Sequence, residues 1–260
     1  MDQYFKIVNN SSNRPLLLIC DHASNYIPPT YQKLGLTADQ LKEHIAWDIG
    51  AAEITLQISK ILNSVAILSG VSRLIIDANR DPSDQKSTPE ISDSITITGN
   101  KDLPKINREN RLKKYFWPYH NAIKKQIDIF EEKLDPYNNI PIIFSIHTFT
   151  QVMRSVDVKK RPWDVGVLWN RDPRVADILI KELTNHKDNL IVGDNQPYSG
   201  KEFYYTLDYH AGGRGIPHCA IEIRQDLVNT PEGINYWATL ISKILNNIID
   251  NSKIHKIVQF

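Results

Sequence analysis

Four short apolar runs recur along the chain, and each ends in an ionisable side chain. Leu16-Leu17-Leu18-Ile19-Cys20 runs into Asp21-His22, Leu74-Ile75-Ile76 into Asp77, Pro141-Ile142-Ile143-Phe144-Ser145-Ile146 into His147, and Cys219-Ala220-Ile221 into Glu222. Unbroken apolar runs of this length mark strands buried on both faces. Further strands are expected over 65–69, 73–78, 165–169 and 190–192, with the last core strand over 217–223. Between them the period changes to that of helices. Ile54, Ile58, Ile61 and Leu62 mark a helical face over 51–62, and 107–134 reads as a long amphipathic helix that Pro118 kinks or restarts. Pro173 behind Asp172 opens a helix to about residue 184, and a closing helix runs over 231–249. Thr37-Ala38-Asp39-Gln40 has the form of a capping box and predicts a helix after it. Residues 1–14 read as a polar lead, 81–104 as a long loop that is a lid, a binding loop or a disordered segment, mobile or ordered by ligand, and 194–216 as another long loop rich in glycine and tyrosine. With no repeat and no linker, this alternation predicts one α/β domain over 1–260: three layers, with a mixed, mostly parallel sheet between helices.

Composition narrows the partners. The chain is 41% hydrophobic and 23% charged, which is globular, and its net charge of +1 provides no global basic field for nucleic acid. No apolar run has membrane-spanning length, and the start Met1-Asp2-Gln3-Tyr4-Phe5-Lys6 has no apolar signal region. Cys20 and Cys219 both lie in apolar runs, as buried thiols of a reducing compartment would. The expectation is a cytoplasmic enzyme with a small-molecule substrate.

The candidate chemistry depends on where the runs end. Ligands of open α/β sheets sit outside the carboxyl ends of the strands. His22 and His147 are the sharpest pair there, since neutral imidazole is the commonest metal ligand and a catalytic zinc takes three protein ligands plus an open position. A shared divalent metal, zinc, is expected. Glu222 would be the general base beside it, or else an ion-pair partner of Arg224 or Arg73. Asp48 stands four residues after His44 and either serves the metal and its chemistry or caps a helix starting at Ile49. Asp77 carries the same ambiguity, and Asp21 reads as supporting a ligand. Arg73, Arg80, Arg214 and Arg224 are candidates to grip a substrate carboxylate, because the guanidinium fork matches it. Ser24 and Asn25, just past His22, are candidates to touch substrate. Lys124-Lys125 and Lys159-Lys160-Arg161 read as solvated charge, and Tyr115, Phe116, Trp117 and Tyr119 as core.

Five ordered blocks carry a resemblance: Asp21-His22-Ala23-Ser24-Asn25-Tyr26-Ile27-Pro28, His44-Ile45-Ala46-Trp47-Asp48-Ile49-Gly50-Ala51, Ser72-Arg73-Leu74-Ile75-Ile76-Asp77-Ala78-Asn79-Arg80, Ser145-Ile146-His147-Thr148-Phe149 and Ile221-Glu222-Ile223-Arg224-Gln225-Asp226-Leu227. Together they resemble the N-formylglutamate amidohydrolase family, whose fold is similar to that of the zinc-dependent exopeptidases. The resemblance implies metal-dependent amide hydrolysis of an N-acyl amino acid, such as N-formyl-L-glutamate cleaved to formate and L-glutamate in histidine degradation. The exopeptidases place a Glu three residues after the first His. Here that position is Asn25, which leaves the third ligand open among Asp77, Asp48 and Asn25. The competing readings are a carboxypeptidase-like or peptidoglycan-type amidase, favoured by a wide cleft, and a metal-free binding protein on the same fold.

Overall fold

In the computed structural model, which describes residues 4–133, 140–154 and 160–260, the alternation on the strands becomes two core layers. Leu16, Leu18 and Cys20 of β2 (Leu16–Cys20) point to one face of the sheet, and Leu17 and Ile19 to the other. The first face is covered by α1 (Ala51–Leu62), α4 (Arg174–Thr184) and α6 (Pro231–Ile249). The second is covered by α3 (Trp117–Lys133), through Tyr119, Ile123, Ile127 and Phe130, and by α5 (Tyr205–His210), through Leu207.

The sheet has seven strands in the order β1-β3-β2-β6-β9-β7-β8, with β1 at Phe5–Val8, β3 at Val65–Ser69, β6 at Ile142–Phe149, β7 at Val165–Leu168, β8 at Val192–Asp194 and β9 at His218–Arg224. The centre is parallel: β3 with β2, β2 with β6, and β6 with β9. β1 and β7 run antiparallel to their inner neighbours, so the sheet is mixed and mostly parallel, as the sequence predicts. The central strands all deliver their carboxyl ends to one edge, and their register sets His147 directly opposite Glu222.

Several expectations are corrected. Residues 5–8, inside the supposed polar lead, pair with β3. The run 73–78 is not a strand and pairs with none of the seven. It is instead a buried loop whose carbonyls are met by side chains: Asn100 Nδ2 donates to Leu74 O at 2.9 Å, and Arg111 Nη1 to Ile75 O at 3.1 Å. Thr37 and Gln40 do make the reciprocal capping bonds, but only the short 3-10 turn Gln40–Lys42 comes after them. The backbone is then drawn away, since Asp48 N donates to His22 O at 3.0 Å. The long helix is divided into α2 (Lys105–Arg111), a π-helical stretch over Leu112–Phe116, and α3. Pro118, which lacks an N–H, sits in the first turn of α3 just past that stretch. Leu134, the expected end of this helix, and Lys159 lie outside the described residues. The strand expected over 190–192 is found at Val192–Asp194, and the 194–216 loop contains α5.

The 81–104 segment contains a two-stranded hairpin, β4 (Ile91–Ser92) and β5 (Ile95–Thr96). It rests on a third apolar cluster that includes Leu34, Ile45, Leu74, Ile76, Ile97 and Phe116. Asn100 joins this segment to the 73–78 loop, donating to the carbonyls of Leu74 and Pro89 and accepting from Arg111. Asn100→Ala is therefore expected to leave buried carbonyls unmet and to cost about 1–3 kcal/mol. Denaturant unfolding checks this, and a loss near zero would mean that other donors replace the amide.

Candidate active site

Odd-numbered residues of β6 and even-numbered residues of β9 face the α3 side, so alternation carries Ser145, His147 and Glu222 to one face near the carboxyl edge. Asp21 and His22 come directly after β2. Asp48 arrives from the loop before α1, where Gly50 (φ +81°) makes a left-handed turn; a Cβ there would lie 2.8 Å from Val228 O. On the far side Gly166, opposite Glu222, lets the 195–198 loop cross against β7. A side chain at 166 would begin 2.0 Å from Gln196 O. That crossing brings Tyr198 to the same cavity.

At the centre stand His22, Asp48 and His147, all buried, with one ligand atom from each within 4.8 Å of the others. Asp48 Oδ2 lies 3.2 Å from His22 Nδ1 and 2.8 Å from His147 Nδ1. The other ring nitrogens are turned outward onto further carboxylates: His22 Nε2 lies 2.7 Å from Asp77 Oδ1, and His147 Nε2 lies 3.1 Å from Asp21 Oδ2 and 2.9 Å from Ser145 Oγ. With the protons on Nε2, both Nδ1 lone pairs and a carboxylate oxygen converge, an arrangement that repels itself unless a proton or cation stands between them. Two tetrahedral zinc ligands lie about 3.4 Å apart, so the spacing and the donor set of two imidazoles and a carboxylate fit a divalent metal. The outer carboxylates supply the partners that orient ligating imidazoles.

The surroundings fix these charges. Burial alone would push the carboxyl of Asp48 up, but His22 and His147 outweigh it and hold the group well below its ordinary range. Burial likewise opposes ionisation of Asp77, and Arg73 and His22 outweigh it. The pKa of His147 is raised despite its burial by hydrogen bonds to Asp21 and Asp48. Arg73 clamps both acids, donating to Asp48 Oδ1 at 3.2 Å and to Asp77 Oδ2 at 2.9 Å. Asp21 accepts from Tyr119 at 3.0 Å and from Thr206 at 2.9 Å, so one of the core aromatics also supports the site.

Glu222 differs from the other acids. It is only 8% exposed, and its Oε2 has no hydrogen-bond partner among the described residues. Burial, then the negative charge of Asp48, pushes its carboxyl up to about 7, against the pull of His147, His22 and Arg73. A carboxyl poised near neutrality can both take and return a proton.

His22, Asp48, Arg73, Asp77, Arg80, His147 and Glu222 line one cavity of about 460 Å³. The remaining predicted residues lie elsewhere. Asn25 Nδ2 donates to Leu41 O, and Ser24 Oγ accepts from Tyr26 N, so both shape the loop after His22. Arg214 is paired with Glu131 and Asp128, and Arg224 with Asp164 and Asp226, away from the cavity wall. No helix carries His44 and Asp48 on a common face. His44 pairs with Asp93 of the hairpin at 3.0 Å, and Asp48 makes no side-chain cap to α1. Arg161 is not simply solvated: it donates to the Tyr198 hydroxyl at 3.1 Å and lies over the rings of Tyr198 and Phe149. Sequence reasoning missed Ser145, Tyr198 and Phe203. Only Ser145 had a usable signal, since it lies two residues before His147 on the same strand face.

Behind this site His120 and His210 form a buried pair, 2.9 Å apart from Nδ1 to Nε2, with His120 Nε2 3.0 Å from Ala78 O. Burial lowers His120 to about 4, and burial together with His120 lowers His210 to about 3. An unfolded histidine binds its proton near 6.5, so this pair stabilises the fold fully above that pH and progressively less as pH falls toward 4. His210→Gln is expected to flatten the fall in thermal midpoint between pH 6.5 and 4. An unchanged slope would clear the pair of that role.

The buried imidazoles and carboxylates thus gather at the carboxyl ends of the parallel strands, where open α/β sheets bind their ligands. The sequence matches the N-formylglutamate amidohydrolase family over residues 14–229, and the chain belongs to that family, which makes it a hydrolase acting on amide bonds. Among solved structures, the product of the Agrobacterium tumefaciens gene Atu2144 is similar with a TM-score of 0.89 at 28% identity, with 95% of each chain covered. The N-formylglutamate amidohydrolase of Ralstonia eutropha JMP134 shares the fold with a TM-score of 0.65 at 16% identity, over 97% of this chain and 99% of that one. No curated protein matches the sequence.

Proposed function

We propose that the protein hydrolyses the amide of an N-acyl amino acid, with N-formyl-L-glutamate (giving formate and L-glutamate) as the substrate its family points to, and that His22, Asp48 and His147 hold a divalent metal, zinc by its donor set. The observation that carries this is Glu222: a buried carboxyl with an unpartnered oxygen, in the same cavity as a convergent group of two imidazoles and a carboxylate. A zinc ion seated there would act as a Lewis acid on the scissile carbonyl and acidify a water. Glu222 accepts the proton of the attacking water and returns it to the leaving nitrogen, so that the C–N bond breaks to a carboxylic acid and a neutral amine. Asp77 and Asp21 hold the two imidazoles in the tautomer that leaves Nδ1 free. Lys86 and Arg80 line the cavity and are placed to hold the polar oxygens of the substrate, a carboxylate at Lys86 and amide carbonyls at Arg80. The free, buried Cys20 and Cys219 accord with a cytoplasmic setting.

Protein purified without chelator is expected to contain one metal ion per chain and to release formate from N-formyl-L-glutamate. Chelation should abolish release and zinc restore it. Metal-loaded protein that cleaves no N-acyl amino acid would overturn the reading.

A further inference from the structure

We infer that the substrate extends beyond a single N-formyl amino acid: the acyl side of the scissile amide is an aminoacyl or peptidyl chain that leaves the catalytic cavity across Arg80 and Phe203 and lies in a second cavity beyond them. This rests on the amidohydrolase reading above and specifies its substrate class.

The second cavity is about 540 Å³ and shares Asn79, Arg80 and Phe203 with the catalytic one. The two are therefore neighbours across one wall. A drug-sized ligand occupies a pocket of about 300–1,000 Å³, and N-formylglutamate, with about a dozen non-hydrogen atoms, is smaller than that class. The catalytic cavity alone is roomy for it, and the second cavity has no use in cleaving it.

The shared wall is built rather than incidental. Asn79 N donates to Asp77 Oδ1 at 2.9 Å, and Asn79 Oδ1 accepts from Thr206 N at 3.0 Å, which ties the wall both to the acid that orients His22 and to α5. Arg80 lies over the Phe203 ring at 5.1 Å. Among the described residues its guanidinium comes no closer to a carboxylate than 3.7 Å to Asp77, with Asp84 at 4.0 Å. Arg73, by contrast, spends its donors on Asp48 and Asp77. Arg80 thus presents unspent N–H groups where a chain would pass between the cavities, suited to the carbonyl oxygens of peptide groups.

The charge of the second wall selects the occupant. Arg171 and Lys201 are set against Asp81, Asp84, Glu202 and Asp208. Such a mixed wall disfavours a polyanion, and its polarity disfavours a fatty acyl chain. A peptide, with alternating donors and acceptors and little net charge, matches it. Lys86, which can meet a carboxylate of the leaving amino acid, belongs to the catalytic cavity alone, so the second cavity falls to the acyl side.

The test compares kcat/KM of the zinc-loaded full chain for N-formyl-L-glutamate and for N-acetyl-Gly-Gly-L-glutamate, in the wild type and in Phe203→Ala. The extended substrate is expected to be favoured by at least about tenfold, the scale of one apolar contact in a pocket. Phe203→Ala is expected to reduce that ratio toward one. Because the ratio is internal to each preparation, partial misfolding of the variant does not alter it. A wild type that cleaves the formyl substrate equally well or better overturns this inference and leaves the amidohydrolase reading standing, whereas cleavage of neither substrate removes both. A preference for the extended substrate that survives Phe203→Ala overturns the proposed path.

Discussion

Glu222→Gln is expected to lower turnover by about 10²–10⁴-fold, the usual contribution of a general acid–base group, while metal content stays at the wild-type level because His22, Asp48 and His147 are untouched. Stability should move the opposite way. The carboxyl of Glu222 titrates near 7 in the folded protein, against an ordinary value of 4.5. Below 4.5 it is protonated in both states and costs nothing. Between 4.5 and 7 the unfolded chain ionises and the folded one does not, so the wild type loses stability as pH rises through that window. Glutamine has no such titration. In chelated protein, the thermal midpoint of Glu222→Gln should therefore match wild type near pH 4.5 and rise above it by pH 8. If Glu222 were a structural ion-pair partner, the variant would be less stable at pH 8 and its folded fraction would turn over normally. That result would sink the catalytic role.

The second large effect concerns Asp48, the proposed third metal ligand. Asp48→Asn keeps the size of the side chain, and its amide can still donate to an imidazole Nδ1 and accept from Arg73, so the fold should survive. The charged oxygen shared by the two imidazoles is lost. Metal retention is expected to weaken by more than about 100-fold, beyond the 10–100-fold that partners outside the ligand shell control, and turnover should fall with it. Asp77→Asn, which among the three proposed ligands meets only the outer nitrogen of His22, should stay inside that 10–100-fold range. Competition with a calibrated chelator ranks the two. The reverse order would move Asp77 into the ligand set and Asp48 out of it.

Those two acids also mark where sequence reasoning stopped. His22, His147 and Glu222 were legible because buried strands announce themselves, and a residue that ends such a strand, or alternates within it, has a direction. Asp48 and Asp77 were legible as candidates but not as roles. Which of them meets both imidazoles depends on the Asp48 N to His22 O bond and on the Arg73 clamp, neither of which leaves a periodic trace. Asn25 was misplaced by spacing alone: the Ser24–Tyr26 turn directs its amide to Leu41. Arginines were the weakest ground. Arg214 and Arg224 look like Arg73 and Arg80 in sequence, and only their partners separate them. The 73–78 run was misread for a simpler reason. It is apolar enough to be a strand, but side chains more than 25 residues away satisfy its carbonyls in place of a neighbouring strand.

The separation of the site residues along the chain sets an order in which the site can form. His22 and Asp48 are 26 residues apart and their loops close early, whereas His147 reaches Asp48 across 99 residues. Glu222 joins only when the last core strand zips onto β6, in the register that sets it opposite His147. On the proposed reading, pairing of β2 with β6 is enough to bring His22, Asp48 and His147 together, whereas Glu222 arrives only with β9, so metal capture would report the first pairing and hydrolysis the second.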